Sequence, residues 1–285
     1  GRSKIVVEKI VDEIRKTEEV KLLDYSMDAD HNRSVVTFIG EPEKVIEAAF
    51  NAAKVASELI DMSKHTGEHP RMGATDVIPL IPISDVTMEE CVEYSKILGK
   101  RIGEELNIPV FLYERSASSR EREDLANVRK GQYEGMAEKL KKPEWKPDFG
   151  PTELNVKAGV TAVGARPPLI AYNVNLGTND LDIAKKIAKA VRARTGGFTY
   201  CKAIGVEIKE RNIVQVSMNL VDYTKTPIFR VFDTIEREAR RYGVNVIGSE
   251  IVGLVPMQAL VDAADYYLKL ENFSSDQILE RKIFE

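Results

Sequence analysis

Hydrophobic and polar positions along the chain predict alternating helices and strands, each with its own apolar spacing. In the first part of the sequence, Pro42 suits the first turn of a helix, and Thr87 with Glu90 forms a capping-box pattern before another helix. The predicted order is helix 4–16, strand 20–25, strand 33–40, helix 41–65, strand 76–83, helix 87–106, strand 108–114, short helices 121–129 and 131–141, and an extended stretch of small residues over 158–165.

The last third of the chain has the clearer pattern. Its predicted order is strand 169–176, helix 179–194, strand 200–208, strand 213–220, helix 226–242, strand 244–252 and a final helix over 256–270. The first six of these elements follow the βαββαβ order of the ferredoxin-like unit.

The first half predicts the order αββαβαβ, which a single strand before Gly1 would convert into the same βαββαβ opening. We therefore expect a strand upstream of Gly1 in the natural protein; the alternative is an N-terminal helix with no strand before it. The predicted fold class is α/β (α+β), with two ferredoxin-like βαββαβ-type subdomains over 1–165 and 166–285.

Composition restricts the function classes. A formal net charge of -4 and a pI near 5.7 argue against nucleic-acid binding as the main activity, although a local basic cluster can still bind an anionic ligand. Cys91 and Cys201 fall in apolar patterns, which favours buried thiols over a disulfide. No apolar run has membrane-spanning length and no signal peptide is recognisable, so a cytoplasmic location is expected.

Two of the three histidines, His65 and His69, lie in one polar loop before an apolar strand. Their i, i+4 spacing fits a metal pair on a helix, but Gly67 and Pro70 interrupt that helix and no third Cys or His lies nearby. We interpret His65 as a cation that closes the long helix. His69 is the candidate acid/base group, because Glu68 can orient its ring, Arg71 can bind an anion, and Gly67 and Gly73 permit close approach of a ligand.

Two further clusters carry polar side chains. Asp28, Asp30, His31, Asn32 and Arg33 separate two predicted strands, and a polar hairpin turn is the favoured interpretation. In the second cluster, two asparagines alternate with apolar residues and should share one face of a strand, where they would line a polar cavity. That strand leads into a helix whose N-terminus suits an anion and which carries three lysines; the residues of this cluster are Asn173, Asn175, Asn179, Lys185, Lys186 and Lys189.

Several long motifs together resemble one known family. They are IDMSKHTGEHPRMGATDVIPLIPISDVTMEEC (60–91), HNRSVVTFIGEP (31–42), LNIPVFLYE (106–114), EWKPDFGP (144–151), GVTAVGARPPLIAYNVNL (159–176), VQVSMNL (214–220) and GSEIVGLVPMQALVDAA (248–264). By these residues the chain resembles glutamate formiminotransferase, the transferase domain found in formiminotransferase-cyclodeaminase, in a stand-alone version. The family has an N-terminal strand that this sequence lacks, in agreement with the strand expected upstream of Gly1.

The resemblance implies a transfer of the formimino group from N-formimino-L-glutamate to N5 of tetrahydrofolate, a step of histidine and one-carbon metabolism. It implies two α/β subdomains with facing sheets across a folate-binding tunnel, assembled as a homodimer. The partners implied are formiminoglutamate and folate, the latter as a mono- or polyglutamate, and tetrahydrofolate is the co-substrate. No metal, nucleic acid or membrane is expected.

By match of the motif, His69 is the general acid/base, and the segments over 150–159 and 183–191 contact folate. The substrate- and folate-binding residues expected from the motifs and the polar clusters together are Asn32, Arg33, Glu68, Arg71, Gly150, Gly159, Gly164, Arg166, Asn173, Asn175, Lys185 and Lys186.

Three other functions are consistent with parts of the pattern. The same cavity could serve formyl transfer from formylglutamate or the metabolism of 5-formyltetrahydrofolate, which sequence does not separate from formimino transfer. A non-catalytic folate or amino-acid sensor is the second alternative, and the intact motif around His69 speaks against it. A metal-dependent hydrolase is the third, and insensitivity to chelators would exclude it.

Overall fold

The computed structural model describes residues 1–29, 31–67 and 69–284, and the chain divides into two compact units, Gly1–Arg166 and Pro167–Glu285. The first unit contains α1 (Lys4–Lys16), β1 (Val20–Asp28), β2 (Arg33–Gly40), α2 (Pro42–Leu59), β3 (Val77–Leu80), α3 (Met88–Glu105), β4 (Val110–Glu114), α4 (Arg120–Glu123), α5 (Leu125–Arg129), α6 (Gln132–Leu140) and β5 (Thr161–Ala165). The second contains β6 (Ile170–Leu176), α7 (Leu181–Val191), β7 (Cys201–Ile208), β8 (Ile213–Leu220), α8 (Ile228–Arg241), β9 (Val246–Val252), α9 (Met257–Leu268) and α10 (Leu279–Phe284).

Strands of the first unit form two sheets, an antiparallel β1–β2 pair and a parallel sheet in the order β3-β5-β4. All five residues of β5 are buried, as expected for the central strand of a parallel sheet with both faces covered. The prolines of the 76–83 stretch predicted an edge or an irregularity, and β3 is indeed an edge strand of this sheet. The capping box of α3 is also confirmed: the Thr87 hydroxyl accepts from the Glu90 backbone N–H, and the Glu90 carboxylate accepts from the Thr87 N–H.

The second unit confirms the predicted βαββαβ order. Its antiparallel sheet has the strand order β7-β8-β6-β9, which is the arrangement of a ferredoxin-like sheet. Helices α7 and α8 cover one face, and their apolar residues share a core with alternate residues of the strands. Cys91 in the first unit and Cys201 in the second are both buried and free, as the sequence predicted.

The prediction that one helix runs over 41–65 and ends at His65 was wrong. Helix α2 ends at Leu59, and Asp61 begins a separate 3₁₀ turn by accepting a hydrogen bond from the Ser63 N–H at 3.1 Å. The Met62 N–H donates to the Lys157 carbonyl at 2.8 Å, so a contact distant in sequence directs the chain away from the helix axis. Burial lowers the pKa of His65 below its usual value, so this side chain is not the helix-terminal cation that the spacing indicated.

Candidate functional site

The loop that carries His69 is anchored by Arg71. The Arg71 guanidinium forms an ion pair with both oxygens of Glu134 on α6, and it donates to the His65 carbonyl at 3.0 Å. The Tyr133 backbone N–H donates to the Arg71 carbonyl at 2.8 Å, which adds a second tie between the loop and α6. Arg71 was predicted to contact an anionic substrate, but in this structure its charge is already paired with a carboxylate of the protein.

The same loop interlocks with the chain entering β5. The Val160 N–H donates to the Met72 carbonyl at 2.9 Å, and Gly73 forms an isolated bridge with Gly159. Gly159 has φ +75, and a Cβ atom there would lie 2.3 Å from the Met72 carbonyl oxygen. A side chain at this position would push the two segments apart, so Gly159 has a structural role as well as its predicted folate-binding role.

The turn between β1 and β2 packs against the His69 loop. Asn32, with φ +48, donates from its side-chain amide to the Thr66 carbonyl at 2.8 Å, and its own carbonyl lies 3.1 Å from Nε2 of His65. A Cβ atom at Gly67 would lie 2.5 Å from the His31 carbonyl oxygen, so the two backbones are in direct contact. Asp28, His31, Asn32 and Arg33 therefore lie at a turn between two paired strands, as favoured, and the charges of Asp28, His31 and Arg33 act on His69. Asp30, the remaining member of the predicted cluster, lies outside the described residues.

His69 is partly buried among positive charges. Burial, followed by the charges of Arg33 and Arg129, lowers the pKa of His69 to about 4, while Asp28 opposes the shift. The imidazole is therefore neutral at physiological pH and can accept a proton. Arg129 is in turn held by Asp76, whose other carboxylate oxygen accepts from the Met72 N–H at 2.8 Å.

Replacement of His69 by asparagine is expected to stabilise the protein near pH ~4.5 relative to the wild type and to change little near pH ~7.5. Between the usual pKa of 6.5 and about 4, the unfolded chain holds a proton on His69 that the folded protein does not, so wild-type stability falls as pH falls. The full effect is on the order of 2 kcal/mol. Urea midpoints can be read from Trp145, the single tryptophan; an equal acid-induced fall in both proteins would contradict the expectation.

The remaining predicted residues of the first unit lie around the parallel sheet. Gly150 has φ +82 and packs against Gly103, and a Cβ atom at Gly164 would lie 2.3 Å from the Tyr113 carbonyl oxygen. Burial raises the pKa of Tyr113 to about 12, and a hydrogen bond from Arg166 opposes that shift. Glu68, predicted to orient His69, lies outside the described residues.

In the second unit, the two predicted asparagines belong to a network of amides with one carboxylate. Asn173 donates to Oε1 of Glu250 at 3.1 Å, and Nε2 of Gln215 donates to the same oxygen at 2.9 Å and to Oδ1 of Asn175 at 2.8 Å. Asn175 and Gln215 are 5% and 6% exposed, whereas Asn173 is partly buried and Glu250 is exposed, so the group extends from the interior of the sheet to its surface. The prediction that both amides share a face is confirmed.

Lys185 and Lys186 lie on a different side of that unit. Tyr172, Val174 and Leu176 alternate with the asparagines and pack against α7, so the amides face away from the helix that carries the lysines. Both lysines are exposed, and Lys185 lies 3.7 Å from Asp182. The first turn of α7 is capped by the Asp180 side chain and also carries Asp182, so carboxylates already occupy the helix end that was predicted to suit an anion.

Sequence reasoning missed the partners that organise both groups. They are Asp76, Arg129, Glu134, Gln215 and Glu250. Each lies far along the chain from the residue it contacts, so no local spacing identified it. For Gln215 a signal existed: it alternates with the apolar residues of a predicted strand and must share the polar face.

A cleft of about 390 Å³ lies in the second unit between α8, α9 and β9, and Glu250 is among the residues that line it. Its walls are mainly apolar, and His69 is not part of it. Over residues 1–29, 31–67 and 69–284, no group of three or more His, Cys, Asp or Glu side chains has the arrangement of a metal site. Within the same ranges, no helix combines the length and the apolar character that crossing a bilayer requires.

Comparison with known proteins gives a consistent result over both units. The model of the N-terminal subdomain of the formiminotransferase domain matches residues 1–166, and the model of the formiminotransferase domain matches residues 171–283. Together these two matches extend over nearly the whole chain.

Two relatives are similar over nearly their full length, and a third over about half of its length. The chain is 56% identical over 284 residues to the glutamate formimidoyltransferase of Streptococcus pyogenes serotype M1, covering 99% of this chain and 95% of that protein. It is 52% identical over 285 residues to the glutamate formimidoyltransferase of Thermoplasma acidophilum, covering 99% and 94%. The formimidoyltransferase-cyclodeaminase of Mus musculus is 45% identical over 277 residues, which cover 95% of this chain and 51% of the mouse protein.

Proposed function

The chain belongs to the formiminotransferase family, and we propose on that premise that it transfers the formimino group from N-formimino-L-glutamate to N5 of tetrahydrofolate, releasing L-glutamate. The proposal for the site rests on the environment of the His69 imidazole. This imidazole is partly buried, neutral and surrounded by cationic side chains, in a loop held on both sides by the fold.

The reaction needs two proton transfers, one at each of the two nitrogens that bond to the formimino carbon in turn. When N5 attacks the formimino carbon, the new N5–C bond leaves a proton on N5 that must be removed. The bond from that carbon to the glutamate nitrogen then breaks, and this nitrogen must gain a proton to leave as an amine. Neutral His69 can take the first proton and return it to the departing nitrogen, a type of catalysis that contributes about 10²–10⁴-fold in rate.

Charges near His69 fit two substrates that carry glutamyl carboxylates. Arg71 and Arg129 are paired with Glu134 and Asp76, whereas Arg33 is exposed and forms no ion pair with any carboxylate of the described residues. We assign Arg33 as the contact for a substrate carboxylate. Binding of that anion would offset the charge that lowers the pKa of His69 and would make the imidazole a better base in the complex.

Asn173 and Asn175 remain proposed folate contacts, together with the Gln215 and Glu250 side chains that they contact. A carboxylate that two amide donors hold in place can accept from N–H groups of a ligand. Gly150, Gly164, Arg166 and the segment with Lys185 and Lys186 remain proposed folate contacts. The supports for these positions are the family resemblance and, for the two lysines, exposure that leaves them accessible to the glutamate tail.

The proposed function predicts that the protein incubated with tetrahydrofolate and formiminoglutamate forms 5-formiminotetrahydrofolate and an equal amount of glutamate. Formylglutamate should be a poorer donor, because the cationic amidine carbon is activated for attack and a neutral formamide is not. Product can be followed by absorbance and glutamate by chromatography. No product over many hours would refute the transferase, and faster turnover of formylglutamate would favour formyl transfer instead. The homodimer, implied by the resemblance, and the cytoplasmic location, expected from the sequence pattern, remain predictions.

A further inference from the structure

A second imidazole lies beside the His69 loop and is held by a carboxylate. Asp28 accepts from the His31 backbone N–H through Oδ1 at 2.9 Å, and its Oδ2 lies 2.7 Å from Nδ1 of the His31 ring. The first contact is sufficient to close the turn between β1 and β2. The second fixes the orientation of the ring and leaves Nε2 as the nitrogen that can meet a substrate.

The turn is seated so that this ring belongs to the His69 site. The His31 carbonyl lies against Gly67, two residues before His69, and Asn32 donates to the Thr66 carbonyl at 2.8 Å. The charges of His31 and Asp28 both act on His69. The His31 side chain is 47% exposed, so it is accessible from solvent.

We propose that His31, held by Asp28, is a second acid/base group of the transfer reaction and that it, in place of His69, protonates the departing glutamate nitrogen. The inference rests on the proposed function. The Asp28 carboxylate accepts from a ring that carries its proton on Nδ1, so the outward Nε2 is the atom that can deliver a proton to the substrate. His69 lies in a different environment, where burial and the neighbouring guanidinium groups favour its neutral form. An imidazole beside a carboxylate and an imidazole among guanidinium groups can divide the roles of acid and base.

In this reaction sequence all protons are accounted for. N5 attacks the cationic amidine carbon, and the π electrons move to the terminal nitrogen, leaving a positive charge on N5. Neutral His69 removes the N5 proton and becomes an imidazolium. Protonated His31 donates its proton to the glutamate nitrogen as the C–N bond breaks, the amidinium re-forms on N5, and glutamate leaves as an amine. Solvent then removes one proton from His69 and supplies one to His31, which restores both imidazoles for the next turnover.

The charged groups around His31 are part of the test. Asp28 lies on β1, Arg33 on β2 and His69 on the facing loop, while Arg2 donates to the Ala29 carbonyl at 2.9 Å and the Gly1 amine interacts with Asp28. Asp28→Asn keeps an oxygen for the His31 N–H and removes the charge. Asp12→Asn on α1 is the matched control, because it removes a surface carboxylate paired with Arg15, away from the turn.

The experiment measures kcat against pH for the wild type, His31→Ala, Asp28→Asn and Asp12→Asn, with and without added imidazole. His31→Ala is expected to lower kcat about 10–100-fold, less than the loss of a sole acid/base group, and added imidazole should restore part of it. Asp28→Asn should also lower kcat, because the His31 ring loses the carboxylate that orients it, and Asp12→Asn should match the wild type.

Binding of 5-formyltetrahydrofolate, measured by calorimetry, separates catalysis from structure. The expected affinity of His31→Ala is within about threefold of the wild type. Two results would overturn this inference without affecting the proposed function. One is a kcat of His31→Ala within about twofold of the wild type. The other is a loss of kcat that imidazole does not rescue and that is accompanied by a similar loss of folate affinity. Absence of turnover in the wild type would overturn the proposed function together with this inference.

Discussion

Replacement of His69 by alanine is expected to lower kcat by about 10²–10⁴-fold while leaving folate affinity nearly unchanged. The imidazole is the proposed base of the site, and burial together with the charges of Arg33 and Arg129 favours its neutral form. The loop itself is held by Arg71, Gly73 and the turn at Asn32, so truncation of this side chain should leave the backbone in place. Steady-state kinetics give kcat, and calorimetry with 5-formyltetrahydrofolate gives the affinity.

His65→Ala is the matched control for that variant. His65 lies in the same loop, but its Nε2 contacts the Asn32 carbonyl at 3.1 Å, and its Nδ1 is buried with no hydrogen-bond partner among the described residues. Its loss should lower the urea midpoint and reduce kcat by less than about tenfold. Wild-type kcat in His69→Ala, or an equal loss of kcat in both variants, would contradict the acid/base role of His69.

Local patterns were sufficient where each element carries its own periodicity. In the second unit, strand alternation and helical spacing predicted the complete βαββαβ order, although β6 pairs with β8 and β9 across several intervening elements. In the first unit, β5 enters between β3 and β4 from far along the chain. It is buried on both faces and consists of small residues, so neither alternation nor bulk marked it as the central strand.

The end of α2 is also determined by contacts that local periodicity does not show. Ile60 and Met62 continue the apolar spacing of the helix, so periodicity alone extends it toward His65. The helix stops because Asp61 caps a new turn and Lys157 offers its carbonyl to the Met62 N–H. Neither contact can be read from the helix itself.

For the candidate site, the sequence pattern indicated a candidate side chain but not the groups that surround it. His69 was singled out by its loop, and the structure adds why its imidazole stays neutral. Arg71 was expected to bind substrate, yet Glu134 on α6 takes its charge. A guanidinium can serve either purpose, and only the position of the distant carboxylate decides between them.

Replacement of Arg122 by methionine is expected to cost about 3–5 kcal/mol of stability. The Arg122 side chain is 7% exposed, and it pairs with Asp148 at 2.8 Å and donates to the carbonyls of Glu144 and Lys146 at 3.0 and 2.7 Å. Methionine would fill part of the volume but would leave a buried carboxylate and two carbonyls without their donor. Urea unfolding followed by Trp145, the only tryptophan, reports on this position directly because the Arg122 guanidinium lies 5.7 Å from its ring.

A second substitution at Asp148 separates the electrostatic cost of Arg122→Met from its cost in lost packing. Asp148 also accepts from the Leu112 N–H at 2.8 Å, and it directly precedes Phe149 and Gly150, so the pair fixes the start of a segment implied to contact folate. Adding Asp148→Asn to Arg122→Met should recover part of the lost stability, since no uncompensated charge then remains buried.

Arg240→Met is the control for burial: it breaks an exposed ion pair with Glu236 on α8 and should cost less than about 1 kcal/mol of stability. Equal losses in Arg122→Met and Arg240→Met would show that burial adds nothing to the pair, and strictly additive effects of Arg122→Met and Asp148→Asn would show that the two side chains act independently.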